Sequence, residues 1–413
     1  MQFARRLAAP MAVLGVMVAG PLASTSGAGT VTATATTRGT YTPSPFTPVS
    51  TSRTLAGVCP STINVQLDWW PSADDAELFE LIGPSGTVDI NNNSYSGELG
   101  TTGVKVVLKA GGPAESYLPP EAAVAEYPST YILEDSTDDQ LTYGGTARTT
   151  GVFVWYQRYP VVLEWGNPKW DFKSVADIKA SAQTVLAYNG AAYINALEYY
   201  GELTKSQVDE SYNGSPTRFV TASGSIVQQD YITQGPYQYV HDTPDWDKPV
   251  YWVSVAPQYP VYEPQISVPT SKLAADTPCL KQLVPIIQQA GVEYEENPGP
   301  VNAVLVKITH EFKGQGVQLS SDGIAYTTRA QIEYGLVANG ANGVFGSFSQ
   351  SRLQKVVKLL APVLKSLGKS VPSGVSASTL ATNEFLDPSI SLPARFKALS
   401  ASGLTAYDPP AAG

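Results

Sequence analysis

The sequence predicts an α/β fold in which mainly parallel sheets are flanked by helices. The clearest sign is an alternation of helix and strand patterns between residues 174 and 201. Ser174-Val175-Ala176-Asp177 has the form of a capping box and predicts a helix to about residue 183. A strand over residues 184–188 and a helix over residues 191–200 follow it. This order predicts a parallel sheet with ligands at the carboxyl ends of its strands.

Other apolar stretches supply further strands and the late helices. Strands are predicted over residues 63–67, 104–108, 152–156, 161–165 and 250–255. Helices are predicted over residues 279–290, 301–312 and 353–367, the last kinked near Pro362 and closed by Gly368. The chain has 413 residues, of which 43% are hydrophobic and only 15% charged, so it can bury more than one core.

The charge balance limits the class of partner. Lysine and arginine total 26 against 36 aspartates and glutamates, which gives a net charge of −10. Nucleic acids and anionic membranes bind basic patches, so we expect neither as a partner. Two histidines and two cysteines are too few for zinc clusters, haem pairs or iron–sulfur clusters, and we expect no metal and no cofactor. The residues in excess are aromatic, with 23 Tyr and 7 Trp.

The first 28 residues have the three-part form of an export signal. Arg5-Arg6 precede an apolar run over residues 7–19, and small residues over 23–28 offer a cleavage site. The alternative, a membrane anchor, would need about 20 apolar residues to span a bilayer. No cysteine ends the run, so a lipobox is missing. We therefore expect an extracytoplasmic protein, either secreted or associated with the cell envelope.

Two segments are predicted to lie outside the folded part, a Thr/Ser/Pro-rich linker over residues 29–58 and a loose tail over 401–413. Export places Cys59 and Cys279 in an oxidising compartment, where a disulfide persists. We expect a Cys59–Cys279 bridge, and the alternative is two buried free thiols. A bridge would put early and late parts of the chain in one domain.

Catalytic motifs are weak in this chain. His310-Glu311 lacks the second histidine that a zinc helix needs four residues on, and His241 is interpreted as a surface loop residue. No G-x-S-x-G motif is present. The paired carboxylates Asp74-Asp75, Asp138-Asp139 and Glu295-Glu296 are interpreted as solvated edges rather than as a glycosidase pair. These observations favour binding without reaction.

Aromatic and polar residues recur where the predicted strands end. Asp68, Trp69 and Trp70 follow the first strand, where large aromatic faces can meet a ligand. Aromatic pairs also occur in cores, so this pair alone leaves both interpretations open. The other candidate ligand-binding residues lie in similar loops and are Asn189, Gly190, Tyr212, Ser215, Gln234 and Tyr237. Aromatic faces with a few polar groups suit a small flat organic molecule.

Several stretches, in order along the chain, resemble the NMT1/THI5-like substrate-binding proteins of ABC importers. They are Cys59-Pro60, Val65-Gln66-Leu67-Asp68-Trp69-Trp70-Pro71, Ala110-Gly111-Gly112-Pro113, SYNGSPTRFV from residue 211, Ile226-Val227-Gln228-Gln229, PCLKQLVPIIQQA from residue 278, and Thr382-Asn383-Glu384-Phe385. Together they cover nearly all of residues 59–392.

This resemblance implies a two-lobed type 2 periplasmic-binding-protein fold, in which the chain crosses twice between α/β lobes that close over a ligand. It implies a first lobe over residues 59–151 plus 255–400 and a second over 152–254. Relatives that bind thiamine-pyrimidine precursors use an aspartate–tryptophan pair that matches Asp68 and Trp69. The segment over residues 72–77 lacks the histidine often found there. The implied partners are a small-molecule ligand and an ABC permease, with the protein as a monomer.

The main hypothesis is an exported solute-binding protein, not an enzyme, that holds a small aromatic or heterocyclic nutrient. Trp69 and Trp70 would stack on the ligand, and Tyr212 and Tyr237 would cover its opposite face. Its orientation would be fixed by Asp68, Asn189, Ser215 and Gln234. One alternative is a pyrimidine-synthesising enzyme of the same superfamily, which needs a cofactor-bearing lysine and a histidine in the cleft. Another is an extracellular carbohydrate-binding or hydrolytic module, because exposed tryptophans also stack on sugars.

Overall fold

Two β-sheets organise the chain in the computed structural model, which describes residues 44–49, 51–127, 129–145, 147–246, 248–313 and 316–396. The predicted export signal, most of the predicted linker and the predicted tail lie outside these residues. The strands of the described chain are β1 (Thr62–Gln66), β2 (Thr87–Asp89), β3 (Ser94–Glu98), β4 (Lys105–Lys109), β5 (Thr130–Asp135), β6 (Thr149–Val154), β7 (Val161–Trp165), β8 (Val185–Tyr188), β9 (Val208–Tyr212), β10 (Val227–Tyr231), β11 (Tyr251–Ser254) and β12 (Gln265–Pro269).

The first sheet has the strand order β2-β3-β4-β1-β5-β12-β6. β1 is parallel to both β4 and β5, whereas β12 is antiparallel to β5 and β6. β3 is antiparallel to β2 and β4. Among the described strands of this sheet, β3 and β12 therefore run against the common direction.

The second sheet has the order β11-β7-β10-β8-β9. β8 is parallel to β9 and β10, and β7 is antiparallel to β10 and β11. β7 is the first strand after the chain leaves the first sheet, and β12 is the first after it returns. The chain thus crosses between the sheets twice and inserts a reversed strand each time. The predicted α/β class is confirmed, with sheets that are mixed: among the described strands, four neighbouring pairs are parallel and six are antiparallel.

Helices surround both sheets. Within the described residues they are α1 (Ala76–Glu80), α2 (Pro120–Glu126), α3 (Thr137–Tyr143), α4 (Val175–Ser181), α5 (Ala192–Tyr199), α6 (Thr217–Thr221), α7 (Gly235–Tyr237), α8 (Leu273–Glu296), α9 (Gly299–Glu311), α10 (Ser321–Glu333), α11 (Gln350–Ser366) and α12 (Ala377–Leu380). Ser174 caps α4 as predicted, since its hydroxyl accepts a hydrogen bond from the Asp177 N–H. The predicted late helices correspond to α8, α9 and α11.

Two hydrophobic cores accompany the sheets. The first contains Ile63, Val106 and Ile266 of the first sheet together with side chains of α8, α9 and α10. The second contains Leu163 and Val185 of the second sheet. Leu353, Val356, Leu360, Val363 and Leu364 of α11 also belong to this core, and α11 packs against α3, α12 and α5. Residues 152–154, predicted to open the second lobe, belong to β6 and hence to the first sheet.

The predicted disulfide is present. Cys59, just before β1, is bonded to Cys279 in α8. The bridge joins the start of the first sheet to a helix that comes after the second crossing. It therefore ties together two parts of the chain that are far apart in sequence.

Arg352 of α11 connects the two crossings between the sheets. Its guanidinium donates hydrogen bonds to the carbonyl oxygens of Gln157 at 2.5 Å and of Pro260 at 2.7 Å. Its carbon Cζ lies 3.7 Å from the centre of the Tyr262 ring. Because Gln157 lies on the first crossing and Pro260 on the second, one side chain fixes both.

Candidate ligand-binding cleft

Polar and aromatic residues follow the parallel strands of the first sheet at one edge. β4, β1 and β5 are parallel, so their carboxyl ends lie side by side. Trp69 follows β1, and the Gly111-Gly112 turn follows β4. The N–H of Gly111 donates to the Trp69 carbonyl oxygen at 2.8 Å, which joins the two loops directly.

The Trp69 ring lies over Gly112 and beside Tyr117. A Cβ atom on Gly112 would come within 2.9 Å of the Trp69 ring, so a glycine is needed there. The ring centres of Trp69 and Tyr117 are 5.6 Å apart. Ser116 and Tyr117 both have positive φ, at 54° and 61°, a strained backbone that clusters at ligand sites. Trp69 is 46% exposed and Tyr117 65%, so both rings are accessible.

Three carboxyl groups converge behind these rings. The carboxylate oxygens of Asp68, Asp75 and Glu134 lie within 4.8 Å of one another. Burial and the neighbouring Asp74 raise the pKa of Asp68 to about 7. Burial, Asp75 and Asp68 raise the pKa of Glu134 well above its usual range. The set contains no histidine or cysteine, so it resembles an oxygen site for a hard cation more than a zinc site.

Two predictions about the first sheet are wrong. Trp70 is only 3% exposed and packs edge-on against Phe312, with ring centres 5.8 Å apart, so its face is not available to a ligand. The paired carboxylates are not solvated edges, because Asp74, Asp75 and Asp138 are buried. Both tryptophans lie in the bend that follows β1, and this bend leaves Trp69 exposed and buries Trp70.

At the facing edge of the second sheet, each parallel strand ends in a tyrosine. Tyr188, Tyr212 and Tyr231 close β8, β9 and β10. The rings of Tyr188 and Tyr212 are 4.8 Å apart. Gln229 fixes the strand end of β8, because its side-chain oxygen accepts hydrogen bonds from the Tyr188 N–H and the Tyr193 hydroxyl, both at 2.9 Å.

Asp230 lies beside these tyrosines, near the gap between the sheets. Burial raises the pKa of Asp230 to about 7, although the hydrogen bond from the Tyr231 N–H lowers it. Burial, Asp230 and Tyr117 together raise the pKa of Tyr188 to about 12. Tyr117 follows the first sheet and Tyr188 ends a strand of the second. The two aromatic groups are therefore close across the gap.

The predicted loop residues of the second sheet lie at the surface or already have partners. Asn189 and Gly190 are exposed, and the Gly190 N–H donates to the Glu210 carboxylate at 3.0 Å rather than pointing free. The Ser215 hydroxyl is within 2.8 Å of that of Thr217 and accepts a hydrogen bond from the Thr217 N–H. In this conformation the Gly190 N–H and the Ser215 hydroxyl thus form hydrogen bonds to other groups of the protein.

Gln234 and Tyr237 lie where the second sheet meets elements of the first. The Gln234 amide donates to Asp74 at 3.4 Å. The Tyr237 ring stacks on Tyr326 of α10, with ring centres 5.5 Å apart. The Tyr326 hydroxyl donates to the Ile232 carbonyl oxygen at 2.8 Å. These residues hold the two sides together, and Tyr237 packs on protein rather than opposite Trp69.

A cavity of about 230 Å³ lies between α3, the start of α5 and α11. Its charged lining residues are Asp138, Asp139, Glu263 and Lys369, and Gly190 and Asn195 line the opposite side. Asp138 accepts a hydrogen bond from the Tyr259 hydroxyl at 2.7 Å, and Glu263 accepts one from Tyr231. Acidic groups therefore extend from the strand ends into this enclosed space.

Both histidines have protein partners. The ring centres of His241 and Tyr237 are 4.5 Å apart, and a ring nitrogen of exposed His310 is 3.1 Å from the Leu319 carbonyl oxygen.

No helix of the described chain is long and apolar enough to cross a membrane.

Sequence reasoning missed Tyr117, Tyr188, Asp230 and Glu134. Tyr188 and Asp230 stand at or beside strand ends, where the same argument that selected Trp69 applies. Glu134 sits in the otherwise apolar run of β5, and Glu164 in that of β7. A carboxylate inside a buried strand is itself a signal.

No family model matches the chain, and no curated protein matches it. Among solved structures, the periplasmic aliphatic sulphonate binding protein SsuA from Escherichia coli is similar with a TM-score of 0.50 and 10% identity, covering 81% of this chain and 94% of that one. A ligand binding component of an ABC-type import system from Staphylococcus aureus, with zinc bound, has a TM-score of 0.47, 11% identity and coverages of 80% and 99%. At such identities the likeness concerns the fold alone. This chain has the periplasmic-binding-protein fold that the sequence predicted, and membership of the NMT1/THI5-like family stays a prediction.

Proposed function

We propose that this protein is the extracytoplasmic solute-binding component of an ABC importer, which captures a small aromatic or heterocyclic nutrient and delivers it to a membrane permease. The observation that carries the proposal is the pair of facing strand edges. Trp69 and Tyr117 stand on one side and Tyr188 and Tyr212 on the other. In open α/β sheets, ligands bind at this end of the strands.

The two crossings supply a hinge for this function. The first lobe would carry the first sheet and the second lobe the second sheet, joined by the segments that Arg352 binds. A ligand that contacts both lobes stabilises the closed form by its differential affinity for the two states. Contacts such as Gln234 with Asp74 belong to the closed form in this account.

A binding role fits the cleft better than the two alternatives. A pyrimidine-synthesising enzyme needs a histidine beside the ligand, but His241 and His310 are engaged elsewhere. A sugar-binding surface uses exposed tryptophans on an open face, whereas Trp69 stands beside a gap between two sheets. The proposal therefore assigns no catalytic residue.

The test is small-angle scattering of the purified protein before and after its small molecule is removed by reversible unfolding. We expect a compound to be released, and its return to reduce the radius of gyration. A protein that releases no compound, and whose scattering does not respond to any compound from the growth medium, would contradict the proposal.

A further inference from the structure

Both faces of the cleft carry a half-buried carboxyl group backed by a fully buried one. On the first sheet Asp68 stands in front of Glu134, with their oxygens within 4.8 Å. On the second sheet Asp230 lies near Glu164 and raises its pKa, and neither oxygen of Glu164 has a hydrogen-bond partner in the described chain. Glu134 and Glu164 are both 0% exposed. The same arrangement on two separate sheets points to a shared role in the gap between them.

Glu134 lacks the partners that a buried carboxylate needs. Neither of its oxygens accepts a hydrogen bond from an N–H or neutral hydroxyl group of the described chain, and only another carboxyl group, Asp75, is within reach. A buried charge without a partner is strongly unfavourable. Burial raises the pKa of Glu134 and so favours its neutral form, and its side chain points into the cluster with Asp68; a cation bound there would supply the positive charge that lets it ionise.

The groups that act on Asp68 are themselves acidic. Its described titratable neighbours on the same segment, on β5, on α3 and across the gap are Asp74, Asp75, Glu77, Glu134, Asp135, Asp139, Tyr231 and Glu263. Basic residues nearby have other partners, as Lys109 has in Glu115 at 2.8 Å. The ion pair of Arg218 with Asp209 likewise lies at the surface.

Exposed aromatic rings lie at the same strand ends as this acidic group. Trp69, Tyr117 and Tyr188 are 46%, 65% and 37% exposed, so a ligand can reach their rings. The faces of aromatic rings attract organic cations, and quaternary ammonium groups are recognised in this way. A hydrated metal ion gains nothing from such rings. The combination of rings and carboxylates therefore favours an organic cation over a metal ion.

We propose that the ligand of this cleft is an organic cation, a quaternary ammonium or a charged ring nitrogen, held against Trp69 and Tyr117 with Asp68 and Asp230 as counter-charges. This inference rests on the proposed solute-binding function and names its substrate class. The similar Escherichia coli protein is named for sulphonates, which are anions. An anion placed here would face carboxylates from both sheets.

The test compares ligands of equal shape and different charge. Choline is titrated against dimethylbutanol, its uncharged carbon analogue, and methylpyridinium against toluene, with benzenesulfonate as the anion. We expect at least one cation to bind at least about tenfold more tightly than its neutral partner, and the sulfonate not to bind. Equal binding of the neutral partners, or no binding of any cation at millimolar concentration, would overturn the inference.

Two variants distinguish the effect of the Asp68 charge on binding from an effect on folding. Asp68→Asn keeps the shape and should weaken cation binding about tenfold or more while leaving the neutral partner unaffected. The matched control is Asp171→Asn, whose carboxylate is exposed and paired with Lys173. Melting temperatures of both variants check that they fold. Equal affinity of Asp68→Asn and the parent protein would contradict the assignment of Asp68 as the counter-charge.

The failure of this inference can be told from the failure of the proposed function. A neutral or anionic compound that co-purifies and closes the two lobes would leave the solute-binding function intact and overturn the cationic ligand. Tight binding of Ca²⁺ alone, abolished by Asp68→Asn and without competition by any organic cation, would also overturn it. If no small molecule binds and the protein does not close, both proposals fail.

Discussion

The two faces of the cleft are built differently, although each is the carboxyl edge of parallel strands. On the first sheet, Trp69 and Tyr117 are exposed, and Tyr117 lies in a turn of strained backbone. The carboxyl oxygens of Glu134 accept no hydrogen bond from an N–H or neutral hydroxyl group of the described chain. On the second sheet, the tyrosines are bound into the fold. Gln229 fixes Tyr188 and Tyr193, and Gln228 donates to the Tyr239 hydroxyl at 2.6 Å.

This difference implies that the two faces contribute unequally to the free energy of ligand binding. The first face has rings and charges without protein partners, so a ligand gains most of its free energy there. On the second face Gln229 and Gln228 hold the strand ends by hydrogen bonds, so its tyrosines serve as a preorganised cover, although Glu164 lacks a hydrogen-bond partner there as Glu134 does on the first. Substitutions on the first face should therefore cost more affinity than equal substitutions on the second.

The largest expected effect is that of Trp69→Ala. Loss of the exposed ring removes both stacking and apolar contact, and the ligand should bind about tenfold to a hundredfold more weakly. The measurement is calorimetric titration with the compound that co-purifies. Tyr199→Ala is the control, since Tyr199 is 48% exposed and packs on Tyr200 of the α5 end. Unchanged affinity of Trp69→Ala would remove this ring from the site.

The next effect is on stability and involves both faces. The pKa values of Asp68, Asp135 and Asp230 are raised to about 7, so the folded state binds more protons than the unfolded state between about pH 4 and pH 7. Stability should therefore fall as the pH rises through this window. We expect the ligand-free protein to melt about 5 °C higher near pH 5 than near pH 8.

Calorimetry or fluorescence melting over this pH range provides the measurement. Asp68→Asn should reduce the dependence on pH, because it removes one of the groups that take up a proton on folding. Asp171→Asn should leave it unchanged. Higher stability at alkaline pH would show that these carboxyl groups are not buried together as described.

A smaller effect is expected for Tyr188→Ala on the second face. This ring is 37% exposed and already packs on Tyr212, so its removal should weaken binding only about threefold to tenfold. The same titration applies, with melting temperature as a check on the fold. A loss larger than that of Trp69→Ala would reverse the proposed division between the faces.

The smallest effect is expected for Tyr212→Phe. The Tyr212 hydroxyl is 3.5 Å from the Gln228 amide nitrogen, a long contact, and its loss should change affinity less than about twofold. Should this hydroxyl bind the ligand directly, the titration would show a clearly larger loss.

Sequence patterns were enough to predict most of the helices and strands because the signals for these elements are local. The Ser174 cap, the strand at β8 and the apolar stripe of α11 each depend on residues within a few positions. The core that α11 joins is not encoded in that stripe. The stripe does not specify its partners, and only tertiary contacts bring α11 against α3, α12 and α5.

The candidate site was predictable only in part. Asp68 and Trp69 were found because a strand end is a local feature. Trp70 was misplaced because two successive aromatic residues look alike in sequence, whereas the bend after β1 exposes the first and buries the second. Tyr117 depends on two left-handed residues in a row, Ser116 and itself, for which neither side chain is a typical signal.

Native mass spectrometry of the purified protein, beside Trp69→Ala and Tyr199→Ala, tests the central claim most directly. We expect the parent protein and Tyr199→Ala to carry one small molecule that Trp69→Ala has lost. Retention of the same molecule by Trp69→Ala, at the same occupancy, would contradict a ligand held in the cleft at the end of β1.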